Sequence, residues 1–197
     1  MPAATYDAIV LAGGRSTRMG DVDKVGVVVR GRTLLAHACD AVADARRLVV
    51  VGPSGLAGVP DRAVTVQEDP PFSGPVAAIG AGLDALGPDR SSLVVLVAAD
   101  VPRAAEAVPD LLDALDRHPD ADGVVPVADG HRQPLLAVYR SALLAQVLGA
   151  AAPLADLSVN RVTAAMDLFE LDLPDDVVED VDTPADLHRL TEETHRG

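Results

Sequence analysis

The chain has 197 residues, 49% of them apolar and 23% charged, which is enough to build a buried core and excludes disordered and fibrous classes. Sixteen basic and 30 acidic residues give a net charge of −14. A field of that sign repels phosphate backbones and anionic lipid, so nucleic acid and membrane surfaces are poor partners. The single cysteine, Cys39, excludes a disulfide framework and fits a reducing compartment.

Membrane insertion and secretion are also not expected from the pattern of the chain. No apolar run approaches the roughly 18–20 residues of a transmembrane helix. The first six residues lack the basic and apolar regions of a signal peptide. We therefore expect a cytoplasmic protein.

The first two thirds of the chain alternate between short apolar runs and segments with helical spacing. The runs are rich in β-branched residues and do not alternate with polar residues, as is typical of strands that are buried on both faces. In chain order, the predicted elements are strand 8–11, helix 33–45, strand 48–51, strand 63–66, helix 76–86, strand 93–97, helix 109–117 and strand 124–127. This order predicts an α/β, three-layer, Rossmann-like fold with a mostly parallel central sheet.

The remaining third has a looser pattern. It predicts a strand over 134–139, a helix over 141–148, a short helix over 158–166 and an edge strand over 167–171. Thr183-Pro184-Ala185-Asp186 has the form of a capping box with proline at the first helical position, and predicts a helix to about residue 194. Neither a repeat nor a linker interrupts the chain, so we predict one domain over 1–197.

A glycine-rich loop follows the first predicted strand. Its residues are Leu11, Ala12, Gly13, Gly14, Arg15, Ser16, Thr17, Arg18, Met19 and Gly20, with Asp23 and Lys24 after them. Adjacent glycines at a strand end let backbone N–H groups approach an anion, and three cations lie within a dozen residues. Lys24 is the only lysine of the chain, and an ammonium binds phosphate as a point charge. The pattern indicates a triphosphate site; the alternative is an ordinary surface turn.

The loop lacks two common nucleotide-binding fingerprints. It matches neither the G-x-G-x-x-G pattern of dinucleotide-binding enzymes nor the G-x-x-x-x-G-K-[ST] pattern of P-loop proteins. Both of those classes are therefore not favoured.

Two aspartates are candidates for a metal site. Asp100 follows the strand 93–97, where a carboxylate could hold Mg²⁺ against nucleotide phosphates; the alternative is a turn or N-cap aspartate. Asp182 precedes the predicted final helix and is the candidate second ligand, although it also belongs to a run of acidic residues that could simply be solvated.

Other strand ends carry candidate substrate contacts. Glu68 and Asp69 follow the strand 63–66, and a carboxylate there could accept the two adjacent N–H donors of guanine; Gly52 could line the same base site. Arg132 and Gln133 could supply donors to an anionic second substrate. The alternatives are exposed loop acids and an ordinary turn into a strand.

The glycine-rich loop resembles the L-A-G-G-x-S-x-R-M-G…D-K signature of sugar-nucleotide-type nucleotidyltransferases. The chain is most similar to the branch that contains the molybdenum cofactor guanylyltransferases. The resemblance continues through three further stretches, which are Glu68-Asp69-Pro70 with Gly74-Pro75 and Gly82-Leu83, then Ala98-Ala99-Asp100-Val101-Pro102, then Arg132-Gln133-Pro134-Leu135. It ends in Asp180-Val181-Asp182-Thr183-Pro184-Ala185-Asp186-Leu187 and so covers nearly the whole chain.

The resemblance implies a nucleotide-diphospho-sugar transferase type of fold and transfer of GMP from GTP to molybdopterin with release of pyrophosphate. Leu11, Ala12, Gly13, Gly14, Arg15, Lys24, Gly52, Asp69 and Asp100 would bind the nucleotide. Arg18, Lys24 and Asp100 would be catalytic, Asp100 and Asp182 would hold Mg²⁺, and Arg132 and Gln133 would contact the acceptor. Transient contact with proteins that supply or receive the cofactor is also implied.

One departure from the family pattern keeps alternatives open. Many guanylyltransferases of this branch have N-x-N-T-P where this chain has Asp180-Val181-Asp182-Thr183-Pro184. A cytidylyl- or guanylyltransferase for another phosphorylated acceptor therefore remains an alternative. A nucleotide-binding regulatory protein without turnover is a second one.

Overall fold

The computed structural model of the protein describes residues 5–13, 26–29, 31–181 and 186. The first half contains β1 (Tyr6–Leu11), β2 (Val28–Val29), β3 (Arg32–Thr33), α1 (Leu34–Ala41), β4 (Leu48–Val51), β5 (Val64–Val66) and α2 (Pro75–Leu86). The second half contains β6 (Leu93–Ala98), α3 (Ala104–Arg117), β7 (Gly123–Ala128), β8 (His131–Arg132), β9 (Leu136–Arg140), α4 (Ser141–Ala151), α5 (Val159–Val162), β10 (Leu168–Asp172) and α6 (Asp175–Val178).

The described strands form a large mixed sheet with a parallel centre, as predicted. Its order is β10-β7-β9-β6-β1-β4-β5, and β8 pairs with β7. The strand β1 runs parallel to both of its neighbours, β4 and β6, and β10 runs parallel to β7 at the edge. Only β8 and β9 run against the other strands of this sheet, since β9 is antiparallel to β6 and β7. The small hairpin of β2 and β3 stands apart from it.

Helices cover both faces of the sheet, which confirms the predicted three layers. Along β1, Ala8 and Val10 face the core that contains α1 and α3, whereas Ile9 and Leu11 face the core that contains α2 and α4. Ala8, Ile9 and Val10 have no exposed surface, which explains why this strand is a continuous apolar run. Cys39 is buried on α1, and burial raises the pKa of its thiol to about 11.

The side of β1 on which the chain adds strands to the sheet changes along the sequence. The connection through α1 leads to β4 on one side, and α2 later leads to β6 on the other side. Ala99 N–H donates to the Leu11 carbonyl (3.0 Å), and Ala12 N–H donates to the Val51 carbonyl (2.8 Å). Ligands of open α/β sheets bind beyond the carboxyl ends of the strands at such a switch point.

The amino edge of the sheet, on the other side, contains a closed polar network. The Asp7 carboxylate has no exposed surface and accepts hydrogen bonds from the Arg46 guanidinium (2.9 and 3.0 Å). It also accepts bonds from the Ser91 N–H (2.7 Å) and hydroxyl (3.2 Å). Burial alone would raise the pKa of Asp7, but the bonds from Arg46 and Ser91 outweigh burial and hold it below its usual value.

Several element boundaries differ from the sequence prediction. The helix α3 begins at Ala104, five residues before the expected start at Pro109. Proline at its sixth position removes the N–H that would bond to the carbonyl of residue 105, but burial of Ala104, Ala107 and Val108 offsets that loss. The helix α1 ends at Ala41, not at residue 45.

The region predicted as one helix over 158–166 is divided. The α-helical part, α5, is followed by a 3₁₀ turn over Thr163–Ala165, in which the Thr163 hydroxyl donates to the Val159 carbonyl (2.9 Å). The helix predicted from Thr183 lies outside the described residues except for Asp186. No helix within the described ranges is long and apolar enough to cross a membrane.

Candidate active site at the carboxyl edge of the sheet

At the end of β1, backbone that no side chain covers lies at the switch point. Leu11 and Ala12 are buried, whereas Gly13 is exposed directly after them. Among the residues that the structure describes, the atom nearest to a Cβ placed on Gly13 would be the Val51 carbonyl oxygen, at 3.9 Å. The described residues therefore leave space beside Gly13, where glycine lets a ligand approach the backbone closely.

Gly52 fixes the wall between the ends of β1 and β4. Its N–H donates to the Val66 carbonyl (2.8 Å), and a Cβ on it would lie 3.1 Å from the carbonyl carbon and oxygen of Ala12. Only a glycine lets these two backbones approach so closely without a shift. The structure thus brings together Leu11, Ala12, Gly13 and Gly52, four residues that the sequence predicted to bind nucleotide.

Asp100 lies on the opposite side of the switch point, after β6, and is partly exposed. Its carbonyl accepts the N–H of Val181 (2.9 Å). Val181 is buried in a small apolar cluster with Val29 and Leu34. The residue directly before Asp182 is therefore fixed to the backbone of Asp100.

The same apolar cluster includes Val29, so a second chain segment packs beside Val181. Val29 lies five residues after Lys24 in the chain, and it packs with Val181. The positions of Gly14, Arg15, Arg18, Lys24 and Asp182 lie outside the described residues, so their roles stay predictions. Among the described residues, Val29 and Val181 pack together, and Val181 is bonded to Asp100 at the carboxyl edge.

An ion-pair network holds the segment that leads to Val181. Arg103, which follows Asp100 by three residues, pairs with Glu106 (2.8 Å) and with Asp176 on α6. These pairs raise the pKa of the Arg103 guanidinium beyond its usual value. The sequence predicted neither the ion pairs of Arg103, which we call the Arg103 clamp, nor the buried position of Val181. The available signal was Val181 itself, an apolar residue between acidic neighbours, which is typical of a buried contact.

The carboxylates after β5 have different environments. Asp69 is exposed, whereas Glu68 is only 6% exposed. Glu68 Oε1 accepts the N–H of Phe72 (2.9 Å), but Oε2 has no hydrogen-bond partner in the structure described. Phe72 has a φ of 64° and a half-exposed side chain. A buried carboxylate and a strained rim residue thus share the loop between β5 and α2.

The candidate acceptor contacts lie elsewhere. Arg132 on β8 donates through Nε to Glu170 on the edge strand β10 (2.6 Å), across β7. The backbone of Gln133 donates to the Pro126 carbonyl (2.8 Å). The structure therefore places the Arg132 guanidinium with β10 and not beside Asp100, and acceptor binding by these two residues stays a prediction.

The donor set at the switch point suits a hard divalent cation. Mg²⁺ and its relatives prefer carboxylate oxygens together with phosphate oxygens and water, so one or two aspartates are sufficient. Asp100 has one such carboxylate, and Val181 directly precedes Asp182, which lies outside the described residues. Among the residues that the structure describes, no three His, Cys, Asp or Glu side chains converge as an all-protein metal cage.

Comparison with known proteins identifies the family of the chain. The family model described as "MobA-like NTP transferase domain" matches residues 8–168. A curated relative from Natronomonas pharaonis, a probable molybdenum cofactor guanylyltransferase, is 33% identical over 93% of this chain and 96% of its own length.

Solved structures agree on the fold. Molybdopterin-guanine dinucleotide biosynthesis protein A from Archaeoglobus fulgidus superposes with a TM-score of 0.72 at 20% identity, over 97% of this chain and all of that one. A Mycobacterium tuberculosis protein in complex with manganese gives a TM-score of 0.68 at 22% identity, over 96% of this chain and 99% of that one.

Proposed function

This chain belongs to the family of MobA-like NTP transferases, and from that premise we propose that it transfers GMP from GTP to molybdopterin and releases pyrophosphate. The product is molybdopterin guanine dinucleotide. The observation that carries the proposal is the switch point itself, where the Ala12–Gly13 backbone follows β1 and Asp100 follows β6, the adjacent parallel strand. The hydrogen bond from Ala99 to Leu11 joins its two sides (3.0 Å).

The reaction is an in-line displacement at phosphorus. An oxygen of the molybdopterin phosphate attacks the α-phosphorus of GTP and forms a new P–O bond, while the bond from the α-phosphorus to the bridging oxygen breaks and pyrophosphate leaves. A phosphate monoester has a second pKa of about 6, so the attacking oxygen is already ionised at neutral pH and needs no general base.

The main barrier is electrostatic, because a dianion must approach a polyanion. Backbone N–H groups at Ala12 and Gly13 would point at the phosphates, and Gly14, Arg15, Arg18 and Lys24 would complete the site. Fixed dipoles and cations that stabilise the developing charge supply most of the catalysis in phosphoryl transfer. In a chain of net charge −14, such a local positive site is needed to attract any nucleotide.

Asp100 and Asp182 would hold a divalent cation, Mg²⁺ in the cell. When bound, the cation would supply positive charge that offsets the charge of the phosphates. The hydrogen bond from Val181 to the Asp100 carbonyl and the Arg103 clamp would keep the two carboxylates at a fixed spacing. Gly52 and Asp69 would line the base site, and Arg132 and Gln133 would contact the acceptor once Arg132 leaves Glu170.

The location and the partners follow from the reaction. An enzyme that uses GTP and releases pyrophosphate fits the cytoplasm, where nucleotide is supplied. We expect transient contact with the proteins that deliver molybdopterin and receive its dinucleotide, and no contact with nucleic acid or membrane.

The test combines binding with turnover. With Mg²⁺ present, GTP should raise the melting temperature more than CTP or ATP, because a ligand that binds only the folded state stabilises it. With molybdopterin added, mass spectrometry should detect the dinucleotide and an equal amount of pyrophosphate. Lys24→Ala and Asp100→Asn should lose turnover while they keep the wild-type fold.

Three results would redirect the proposal. A larger shift with CTP indicates a cytidylyltransferase. A dinucleotide formed only with another phosphorylated acceptor changes the second substrate. Binding of GTP without pyrophosphate release, with molybdopterin present, indicates a regulatory protein.

A further inference from the structure

The backbone of Phe72 has a conformation that is unusual for a bulky residue. Its φ of 64° lies in the left-handed region, where a large side chain is strained. The other non-glycine residues with positive φ in the described part of the chain are Asp129 and Asp156, and aspartate adopts this region more readily. Strained residues persist only where their surroundings hold them, and they cluster at sites that bind ligands.

The side chain of Phe72 is also unusual among the aromatic residues. The chain has two tyrosines, two phenylalanines and no tryptophan. Tyr6 and Tyr139 are buried in the two cores, and Phe169 stacks on the His118 ring, with 3.7 Å between the ring centroids. Phe72, in contrast, is 49% exposed. A half-exposed aromatic ring can still pack against a flat ring of a ligand.

Hydrogen bonds hold the backbone on both sides of the Phe72 side chain. The Phe72 N–H donates to Glu68 Oε1 (2.9 Å), and the carbonyl of Ser73, the next residue, accepts the Asp156 N–H (2.8 Å). The Ser73 hydroxyl donates to the Pro70 carbonyl (2.6 Å). One of these partners follows β5 and another lies between α4 and α5. Neighbouring segments therefore fix the strained conformation through backbone groups.

The loop that contains Phe72 belongs to the carboxyl edge of the sheet. It begins after β5, where the Val66 carbonyl accepts the Gly52 N–H (2.8 Å), and it ends at Pro75, the first residue of α2. Because β5 is parallel to β4, both strands end at this edge. The helix α2 packs on β4 and on β1, the strands that lead to Gly52 and Gly13. Phe72 thus lies between the Gly52 wall and the first turn of α2.

The chemistry of a phenylalanine ring restricts its ligand. The ring has no charge and no hydrogen-bonding group, so it offers nothing to a phosphate. It binds flat rings by stacking, and stacking tolerates any base because every base has a π face. The chemical class that fits Phe72 is therefore a flat heteroaromatic ring.

We propose that Phe72 is a further substrate-binding residue, whose ring stacks on a flat heteroaromatic ring of a substrate at the rim of the candidate site. This assignment rests on the proposed function, which supplies two such rings, the guanine of GTP and the pterin of molybdopterin. A residue that is strained in order to bind a ligand is not needed for stability. Replacement of the side chain should therefore relieve strain and weaken binding at once.

The decisive variant is Phe72→Asn. Asparagine adopts the left-handed region more readily than phenylalanine, so the melting temperature without ligand should stay at or above that of wild type. Phe72→Tyr is the conservative variant, because it keeps the ring. Val64→Thr is the matched control, because Val64 is an exposed apolar residue of β5 (54%) whose backbone is not left-handed.

The ligands separate stacking from contacts with the triphosphate. Calorimetry measures binding of GTP, of inosine triphosphate, which lacks the amino group of guanine, and of inorganic tripolyphosphate, which has no ring. Steady-state kinetics measure kcat and the KM for molybdopterin.

In Phe72→Asn the affinity for one of the two ring substrates should fall about tenfold. With guanine as the occupant, GTP and inosine triphosphate weaken by the same factor, because stacking does not read the amino group, and tripolyphosphate binds as to wild type. With the pterin as the occupant, the KM for molybdopterin rises by about that factor while kcat and the triphosphate affinities are unchanged. Phe72→Tyr and Val64→Thr should match wild type in every measurement.

Four results would overturn the assignment while the proposed function stands. The first is wild-type GTP affinity together with wild-type KM for molybdopterin in Phe72→Asn. The second is a lower melting temperature with equal weakening of GTP and tripolyphosphate, which would show that Phe72 only holds the loop. The third is weakening of GTP without weakening of inosine triphosphate, and the fourth is equal weakening by Phe72→Tyr. Wild-type protein that neither binds GTP nor releases pyrophosphate overturns the proposed function, and this assignment with it.

Discussion

One carboxylate is buried at each of the two edges of the central sheet, and the two differ in how completely they are hydrogen-bonded. At the amino edge, Asp7 accepts four hydrogen bonds, two from Arg46 and two from Ser91, and has no exposed surface. At the carboxyl edge, Glu68 accepts one bond from the Phe72 N–H, and its second oxygen is unpaired among the residues described.

The difference separates stability from function within one fold. A buried carboxylate with every lone pair used stabilises the protein and has nothing left for a ligand. A buried carboxylate with an unpaired oxygen lacks part of this stabilisation, because that oxygen has lost its hydrogen bonds to water. The amino edge should therefore control the free energy of unfolding, and the carboxyl edge should control binding and turnover.

The largest expected effect is on turnover, from Asp100→Asn. Loss of the charged oxygen ligand should lower the rate of pyrophosphate release by about 100- to 1000-fold. The melting temperature without ligand should stay close to wild type, and so should the circular dichroism spectrum. Asp84→Asn, an exposed change on α2, is the matched control and should keep full activity. Near-normal turnover in Asp100→Asn would remove this residue from the mechanism.

At the amino edge, replacement of the buried Asp7 carboxylate should lower stability. Asp7→Ala leaves the Ser91 N–H and part of the Arg46 guanidinium without partners, and should lower the free energy of unfolding by about 2–3 kcal/mol. Urea denaturation measures the loss. Well below the midpoint, pyrophosphate release should match wild type. A loss of activity without a loss of stability would contradict the separation of the two edges.

The pH dependence of stability sharpens the same contrast. Because Arg46 and Ser91 hold the pKa of Asp7 below its unfolded value of about 3.9, its contribution is complete above that pH and is lost as pH falls through the lower folded pKa. The free energy of unfolding of wild type should thus fall more steeply below about pH 4 than that of Asp7→Asn. Parallel curves in acid titrations followed by urea denaturation would show that the Asp7 network contributes nothing.

The smallest effects compare two glycines. In Gly52→Ala the new Cβ would lie 3.1 Å from the backbone of Ala12, and should cost about 1 kcal/mol of stability and weaken GTP through a shift of the β1 loop. Gly149→Ala on α4 meets nothing within 4 Å and should stabilise by about 0.5–1 kcal/mol with GTP affinity unchanged. Thermal unfolding and calorimetry measure both. An unchanged GTP affinity in Gly52→Ala would separate Gly52 from the site.

The sequence made the parallel core of the sheet predictable because its strands are buried on both faces. The runs at Ala8–Leu11 and Leu48–Val51 have no polar interruption, and both are strands within a residue or two of the expected bounds. The hairpin of β2 and β3 has only two residues in each strand, too few to show a period, and was missed. The start of α3 was predicted five residues too late, at Pro109, because the helix accommodates this proline in its interior.

The candidate site was predictable where it depends on local sequence and not where it depends on distant contacts. Gly13, Gly52 and Asp100 each follow a recognisable strand, so their common edge follows from the fold alone. The bond from Val181 to Asp100 joins residues 81 apart, and Asp7 and Ser91 are 84 apart. Glu68 and Asp69 are neighbours with the same chemistry in the sequence, and only burial distinguishes them.

The claim that the carboxyl edge between β1 and β6 is the nucleotide site can be tested by one crystal structure of the protein grown with GTP and Mn²⁺. We expect an anomalous manganese peak on the Asp100 carboxylate, with the triphosphate against the Ala12–Gly13 backbone. Manganese and GTP bound together at any other place on the molecule would contradict the account.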